Sequence, residues 1–265
     1  MSTQVQEVPS DSGQMTLIEH LIELRSRIIK CALAVAIGAA LGWIVYVPVL
    51  RFLTDPLRQL SNNSSQLFPG TGKLLATDPL EPFAIRIKVS AYLGIFLAMP
   101  VLLWQFWRFI APGLYSNEKK YAMSFVASAL ALFAAGSAIA YWTLPKAIDF
   151  LSTVGGSDFV NGYSAQKYLM LILYMMLAFG GGFEFPIVLI FLQLAHVVTY
   201  QQLNGFRRWA YVLVAVLAAV ITPSTDPISM CALMFPMWIF YEVAILFGYV
   251  RMRRQRRAAA KAAVT

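Results

Sequence analysis

Thirteen acidic residues serve a chain of 265, and only a few stand where they could do chemistry. Glu19 and Glu23 lie near the start, among His20, Arg25 and Arg27. Glu118 follows Ser116-Asn117 just before a long apolar run, and Asp226 closes the turn Thr222-Pro223-Ser224-Thr225-Asp226-Pro227. Glu184 is the sole carboxylate between Tyr168 and Val198, a stretch without Lys, Arg or Asp. Acids so placed can bind cations, cap helices or carry a proton. No intramembrane protease signature is present. The two histidines, His20 and His196, fall on separate elements, and no His-Glu-x-x-His pattern gives a metal-ligand set. Gly180-Gly181-Gly182 lies in an apolar run and lacks the lysine of a phosphate-binding loop. An ATPase or hydrolase is therefore disfavoured, and no cofactor or metal is expected.

The elements that carry these acids belong to a membrane protein. Hydrophobic residues make up 59% of the chain and charged residues 13%, which is improbable for a soluble globule of this length. A net charge of +8 would suggest nucleic acid as partner, but the basic residues cluster at the ends of apolar runs and so point to membrane orientation. Cys31 and Cys231 both sit in apolar segments, near opposite faces, and read as small buried hydrophobes. Residues 1–27 are too polar to form the apolar core of a cleavable signal peptide.

Residues 1–15 are expected to be a disordered tail, 16–250 a six-helix transmembrane domain and 251–265 a basic tail. Thr16-Leu17-Ile18-Glu19 has capping-box spacing, and Leu17, Leu21, Leu24 and Ile28 make the apolar stripe of a short interfacial helix. A first span follows at about 29–48, then a long loop over 51–83 shaped by Pro56. Spans two and three run over about 83–106 and 121–144. The fourth segment, 168–198, is about 46 Å long as helix, against a hydrocarbon core of about 30 Å. It reads as one tilted or kinked helix, with Gly180–Gly182 and Pro186 as kink elements. Glu184 then lies at a depth where a carboxylate costs about 2.5–3.5 kcal/mol, and it needs a wet cavity, a partner or its own proton. The last two spans read as short. From Trp209 to Thr222 there is only about 21 Å of helix, which predicts local thinning of the bilayer. Fourteen of the 21 Lys and Arg residues fall on the side of the two termini, so both ends are expected in the cytoplasm.

Several motifs carry a resemblance. His20-Leu-Ile-Glu-Leu-Arg-Ser-Arg27 resembles the N-terminal signature of the TatC family, the core receptor of the twin-arginine protein translocase. Phe109-Ile-Ala-Pro-Gly-Leu-Tyr-Ser-Asn-Glu118, which contains Pro112, is similar to that family's first cytoplasmic-loop motif. Phe183-Glu-Phe-Pro186, Thr222 to Asp226, and Thr77-Asp78 through Pro82-Phe83 resemble three more, in the family's order. Many relatives carry Gln four residues beyond the turn aspartate, where this chain has Met230. The resemblance implies a concave, glove-like all-α bundle in the bacterial or archaeal cytoplasmic membrane. It implies a receptor that binds signal peptides bearing an Arg-Arg pair and exports folded proteins on the proton-motive force. Glu23 and Glu118 would meet the two guanidinium groups, with Arg25 and Phe109 shaping the same patch. Pro223 and Asp226 would form a functional periplasmic turn, and Pro56 and Pro112 would shape loops. TatA- and TatB-like single-span subunits would be partners in a homo- or hetero-oligomer.

Each of these residues also has a plainer role. Glu118 suits the first turn of a helix, where an acid favours the dipole. Glu23 could simply pair with Arg27 at i, i+4. Glu184 could be a protonated glutamate bonded inside the bundle, and Asp226 could cap the sixth helix. The basic tail fits contact with anionic lipid. The alternative function is a small secondary transporter with Glu184 as its ion or solute site. That reading predicts repeated halves with matching broken helices, and no convincing repeat relates 1–145 to 146–265.

Overall fold

The computed structural model describes residues 17–63, 78–110, 122–154, 164–195, 197–224 and 226–262. Eight helices carry them: α1 (Leu17–Ile44), α2 (Tyr46–Asn63), α3 (Glu81–Ile110), α4 (Ala122–Val154), α5 (Ala165–Phe183), α6 (Phe185–Leu194), α7 (Tyr200–Ile221) and α8 (Pro227–Ala262). Among the described residues six stretches are long and apolar enough to cross a membrane, with α5 and α6 together making one of them. The fold is all-α, as expected.

Boundaries differ from expectation where apolar runs and hydrogen bonds disagree. The short interfacial helix is continuous with the first span, because α1 runs unbroken for 28 residues. The loop over 51–83 begins as helix: α2 extends to Asn63, and Pro56 is buried inside it rather than in a turn. The fifth span is the shortest of the six, but at 22 residues it is about 33 Å of helix and long enough to cross. Arg207 and Arg208 do not end it, since Arg207 pairs with Glu242 of α8 and the helix continues through both. The length argument for bilayer thinning, which rested on the apolar run alone, therefore fails. The sixth span, at 28 residues, is not short. Arg251, Arg253, Arg254, Arg256 and Arg257 ride on its helical continuation to Ala262.

Helix starts follow local chemistry. Asp78 Oδ1 accepts from the Leu80 amide at 2.7 Å, ahead of α3. Thr199 and Gln202 form a reciprocal capping box at α7. Asp226 caps α8: its Oδ1 accepts from the Ser229 amide at 2.7 Å, with Pro227 first in the helix, where a missing N–H costs nothing. Glu81 joins two helices. It opens α3, is 5% exposed, and accepts from Ser164 Oγ at 2.7 Å and the Gln166 amide at 3.0 Å, which holds the start of α5.

α5 is the axis of the core. Leu169, Ile172, Met175 and Phe179 are fully buried, against α4, α3 and α8. Its glycines divide the work. A Cβ on Gly180 would strike the Phe133 ring at 2.6 Å, and one on Gly182 would reach Leu233 at 3.0 Å, whereas Gly181 faces open space. Gly180 and Gly182 thus allow packing on opposite sides, and the helix breaks beyond them, at Glu184. A helix break at Glu184 falls within the expected kink region 180–186, but close packing explains the glycines better than bending does.

Candidate functional site

The first site lies between α1 and α3, at the end of the bundle where α1 begins. A cavity of about 630 Å³ is lined by Glu19, Ile22, Glu23, Ser26, Arg27 and Lys30 of α1 and by Arg108 of α3. One helical turn separates Glu19, Glu23 and Arg27, so the 3.6-residue repeat alone puts them on one face. α3 meets that face because Gly38 of α1 and Gly94 of α3 let the two backbones touch.

Arg27 organises the polar contacts. Its Nε donates to Glu23 Oε1 at 3.1 Å, and its Nη2 donates to the same oxygen. Across to α3, Nη1 donates to Gln105 Oε1 at 3.3 Å and Nη2 to the Arg108 carbonyl at 3.1 Å. The ion pair expected from i, i+4 spacing is present, then, and it is also a tie between helices. Glu23 Oε2 is buried and has no hydrogen-bond donor among the described residues. Phe109 stacks on His20 with ring centroids 4.5 Å apart, which places it beside the cavity. Arg25 points outward and is exposed. Glu118 and Pro112 fall in 111–121, outside the described residues. The described lining has two acids and three bases, so by itself it does not favour a dication.

A second cavity, of about 500 Å³, opens where α5 gives way to α6. Glu184, Tyr174, Gly181 and Phe185 line it with Leu217 and Ile221 of α7 and Met237 of α8. Glu184 is partly buried, and its Oε1 has no hydrogen-bond partner among the described residues. The cavity that the sequence demanded is there, and Oε1 finds no side-chain partner among the described residues. Asp226 serves the α8 cap, and Ser224 Oγ donates to its other oxygen. Pro223 is exposed in the same turn.

Sequence reasoning missed Gln105, Arg108, Glu81 and Gln193. Gln193 is 6% exposed, with Nε2 donating to the Ala244 carbonyl at 2.9 Å, while Arg251 donates to its backbone carbonyl at 3.2 Å. Nothing in periodicity marks a glutamine as an interhelical tie. Glu81, an acid just ahead of the predicted second span, carried a signal, but its partners lie at the start of another helix. No group of three or more potential metal ligands occurs among the described residues.

A helical bundle with six stretches of spanning length among the described residues and a charged cavity at one end is a multi-pass membrane protein. Comparison specifies which. The family model described as Sec-independent protein translocase protein (TatC) matches residues 19–236. A TatC protein of Frankia casuarinae is 37% identical over 254 residues, covering 93% of this chain and 69% of that one. One from Xylanimonas cellulosilytica is 36% identical over 258 residues, covering 96% and 91%. The crystal structure of a twin-arginine translocase receptor TatC superposes with a TM-score of 0.71 at 35% identity, covering 88% of this chain and 99% of that one. The chain belongs to the TatC family. It is a membrane component of the Sec-independent protein translocase, a transport subunit rather than an enzyme. The secondary-transporter alternative is not favoured.

Proposed function

We propose that the cavity between α1 and α3 receives the Arg-Arg pair of a signal peptide on folded cargo. The observation that carries this is the Glu23 carboxylate, bonded to Arg27 through one oxygen and without a donor on the other among the described residues, in the lining of a cavity large enough for side chains. Arg–carboxylate pairing is bidentate and planar where a Lys pair is a point contact, so such a site can tell the two apart. The excess of base over acid in the described lining calls for one more acid, and Glu118 is the residue the family's loop motif supplies. Phe109, stacked on His20, forms an apolar wall beside the pair; Arg25 lies outside the cavity lining.

In this reading both termini are cytoplasmic, the cavity faces the cytoplasm, and Asp226 and Pro223 form a periplasmic turn. Exposed apolar side chains on α7 (Val212, Leu213, Val216) and α8 (Phe235, Ile239, Val243) suit lipid and single-span partner helices of the TatA and TatB kind, within a homo- or hetero-oligomer. Glu184 is a polar point at membrane depth in the path that the proton-motive force drives.

The test is binding of a signal peptide and its Lys-Lys counterpart to the purified chain and to its Glu23→Gln and Glu118→Gln variants. Strong preference for Arg-Arg, lost in either variant while the protein stays folded, is expected. Equal binding of the two peptides to the unaltered chain would refute the receptor site.

A further inference from the structure

We propose that Arg27 is a resident rival for the carboxylate of Glu23, and that a peptide arginine reaches its full two-bond grip only by displacing it. The inference rests on the reading that Glu23 meets the signal peptide. Each carboxylate oxygen offers about two lone pairs. On Glu23 Oε1 both are taken, one by Nε and one by Nη2 of Arg27. Oε2 has neither filled among the described residues. An arriving guanidinium needs both oxygens for a parallel fork. It therefore finds half a site, and the other half is occupied by a group of its own kind.

The geometry also provides for the displaced side chain. Arg27 Nη1 already donates to Gln105 Oε1 and Nη2 to the Arg108 carbonyl, and both acceptors belong to α3. When Glu23 is taken, Arg27 keeps these two partners and is not stranded. The converse holds in the empty receptor. Glu23 is 22% exposed and Arg27 12%, and a carboxylate so covered is costly to leave unpaired, so the rival keeps it neutralised between cargoes. Arg27 is thus a brake: it stabilises the empty site and holds affinity at a level from which the peptide can leave. A Lys ammonium gains less from its departure, because it makes a point contact with one oxygen and has no fork to complete.

This separates Arg27 from two simpler roles. A brace for Glu23 would weaken Arg-Arg binding when removed and narrow the preference over Lys-Lys. A mere surplus charge, of the kind Lys30 and Arg108 also contribute to the lining, would hold off both peptides equally. The experiment measures the affinity of Arg-Arg and Lys-Lys signal peptides for the purified full chain, unaltered and as Arg27→Lys, Arg27→Gln and Lys30→Gln. Arg27→Lys keeps the charge but removes the fork, and should bind Arg-Arg several-fold tighter. Arg27→Gln should bind it about tenfold tighter and Lys-Lys far less so, which widens the preference. Lys30→Gln should raise both affinities by a similar, smaller factor. If Arg27→Gln misfolds, the charge-keeping Arg27→Lys decides. Unchanged or weaker Arg-Arg binding in Arg27→Lys overturns the rival and leaves a brace. If Glu23→Gln leaves Arg-Arg binding intact, the receptor site itself is wrong, whatever the Arg27 variants do.

Discussion

Replacing Gly94 by Ala should damage the cavity from a distance. A Cβ on Gly94 would sit 2.7 Å from the Ala39 nitrogen and 2.7 Å from the Val35 carbonyl oxygen, both on α1. Comfortable carbon–oxygen contact is about 3.5 Å, so the two helices must part by roughly 0.8 Å. The obstacle is backbone, and no side-chain rotation relieves it. Arg27 reaches α3 through bonds of 3.1 and 3.3 Å, and stretching either by that amount ends it. Overpacking of this kind costs about 1–3 kcal/mol, with a fall in melting temperature of roughly 2–4 °C per kcal/mol for a chain of this size. The assay is thermal unfolding in detergent alongside signal-peptide affinity. Gly205→Ala is the control: a Cβ there meets nothing within 4 Å, and alanine favours helix over glycine by about 1 kcal/mol. Gly94→Ala should lower both the melting temperature and the affinity. Gly205→Ala should raise the first slightly and leave the second alone. A Gly94→Ala protein that melts and binds like the original would show that α1 and α3 do not touch there, and that the cavity does not depend on their contact.

Glu81→Ala should destabilise by about 1–3 kcal/mol, because it strands the Ser164 hydroxyl and the Gln166 amide that the buried carboxylate serves; hydrogen exchange at the start of α5 should rise first. Asp226→Ala should cost about 1 kcal/mol through loss of the α8 cap, while Asp226→Asn, which can still accept from the Ser229 amide, should keep most of it. Comparing export by the two shows whether the turn does more than cap: equal export at equal stability means it does not. Glu184→Ala should lower export several-fold with little loss of stability, since no hydrogen bond to Oε1 is given up among the described residues. Glu184→Gln, still polar, should retain most of it, and normal export by both variants would make the acid dispensable.

By itself the sequence determined the membrane class, the number of crossings and the family. Each rests on signals local to the chain: apolar runs of spanning length, charges at their ends, and short motifs in order. The pairing of Glu23 with Arg27 was legible for the same reason, since one helical turn places them together whatever surrounds them. Tertiary structure decided what those residues do next. Only the packing of α3 on α1 shows that Arg27 also grips Gln105 and the Arg108 carbonyl, 78 and 81 residues away in the chain. Helix ends went the same way. Arg207 reads as the limit of a span until Glu242, 35 residues on, is seen to hold it, and Gly180 reads as a hinge until the Phe133 ring is found against it. Periodicity reports which face of a helix is apolar, but it holds no record of which helix that face will meet. The polar ties and glycine contacts that build this site exist only between such faces.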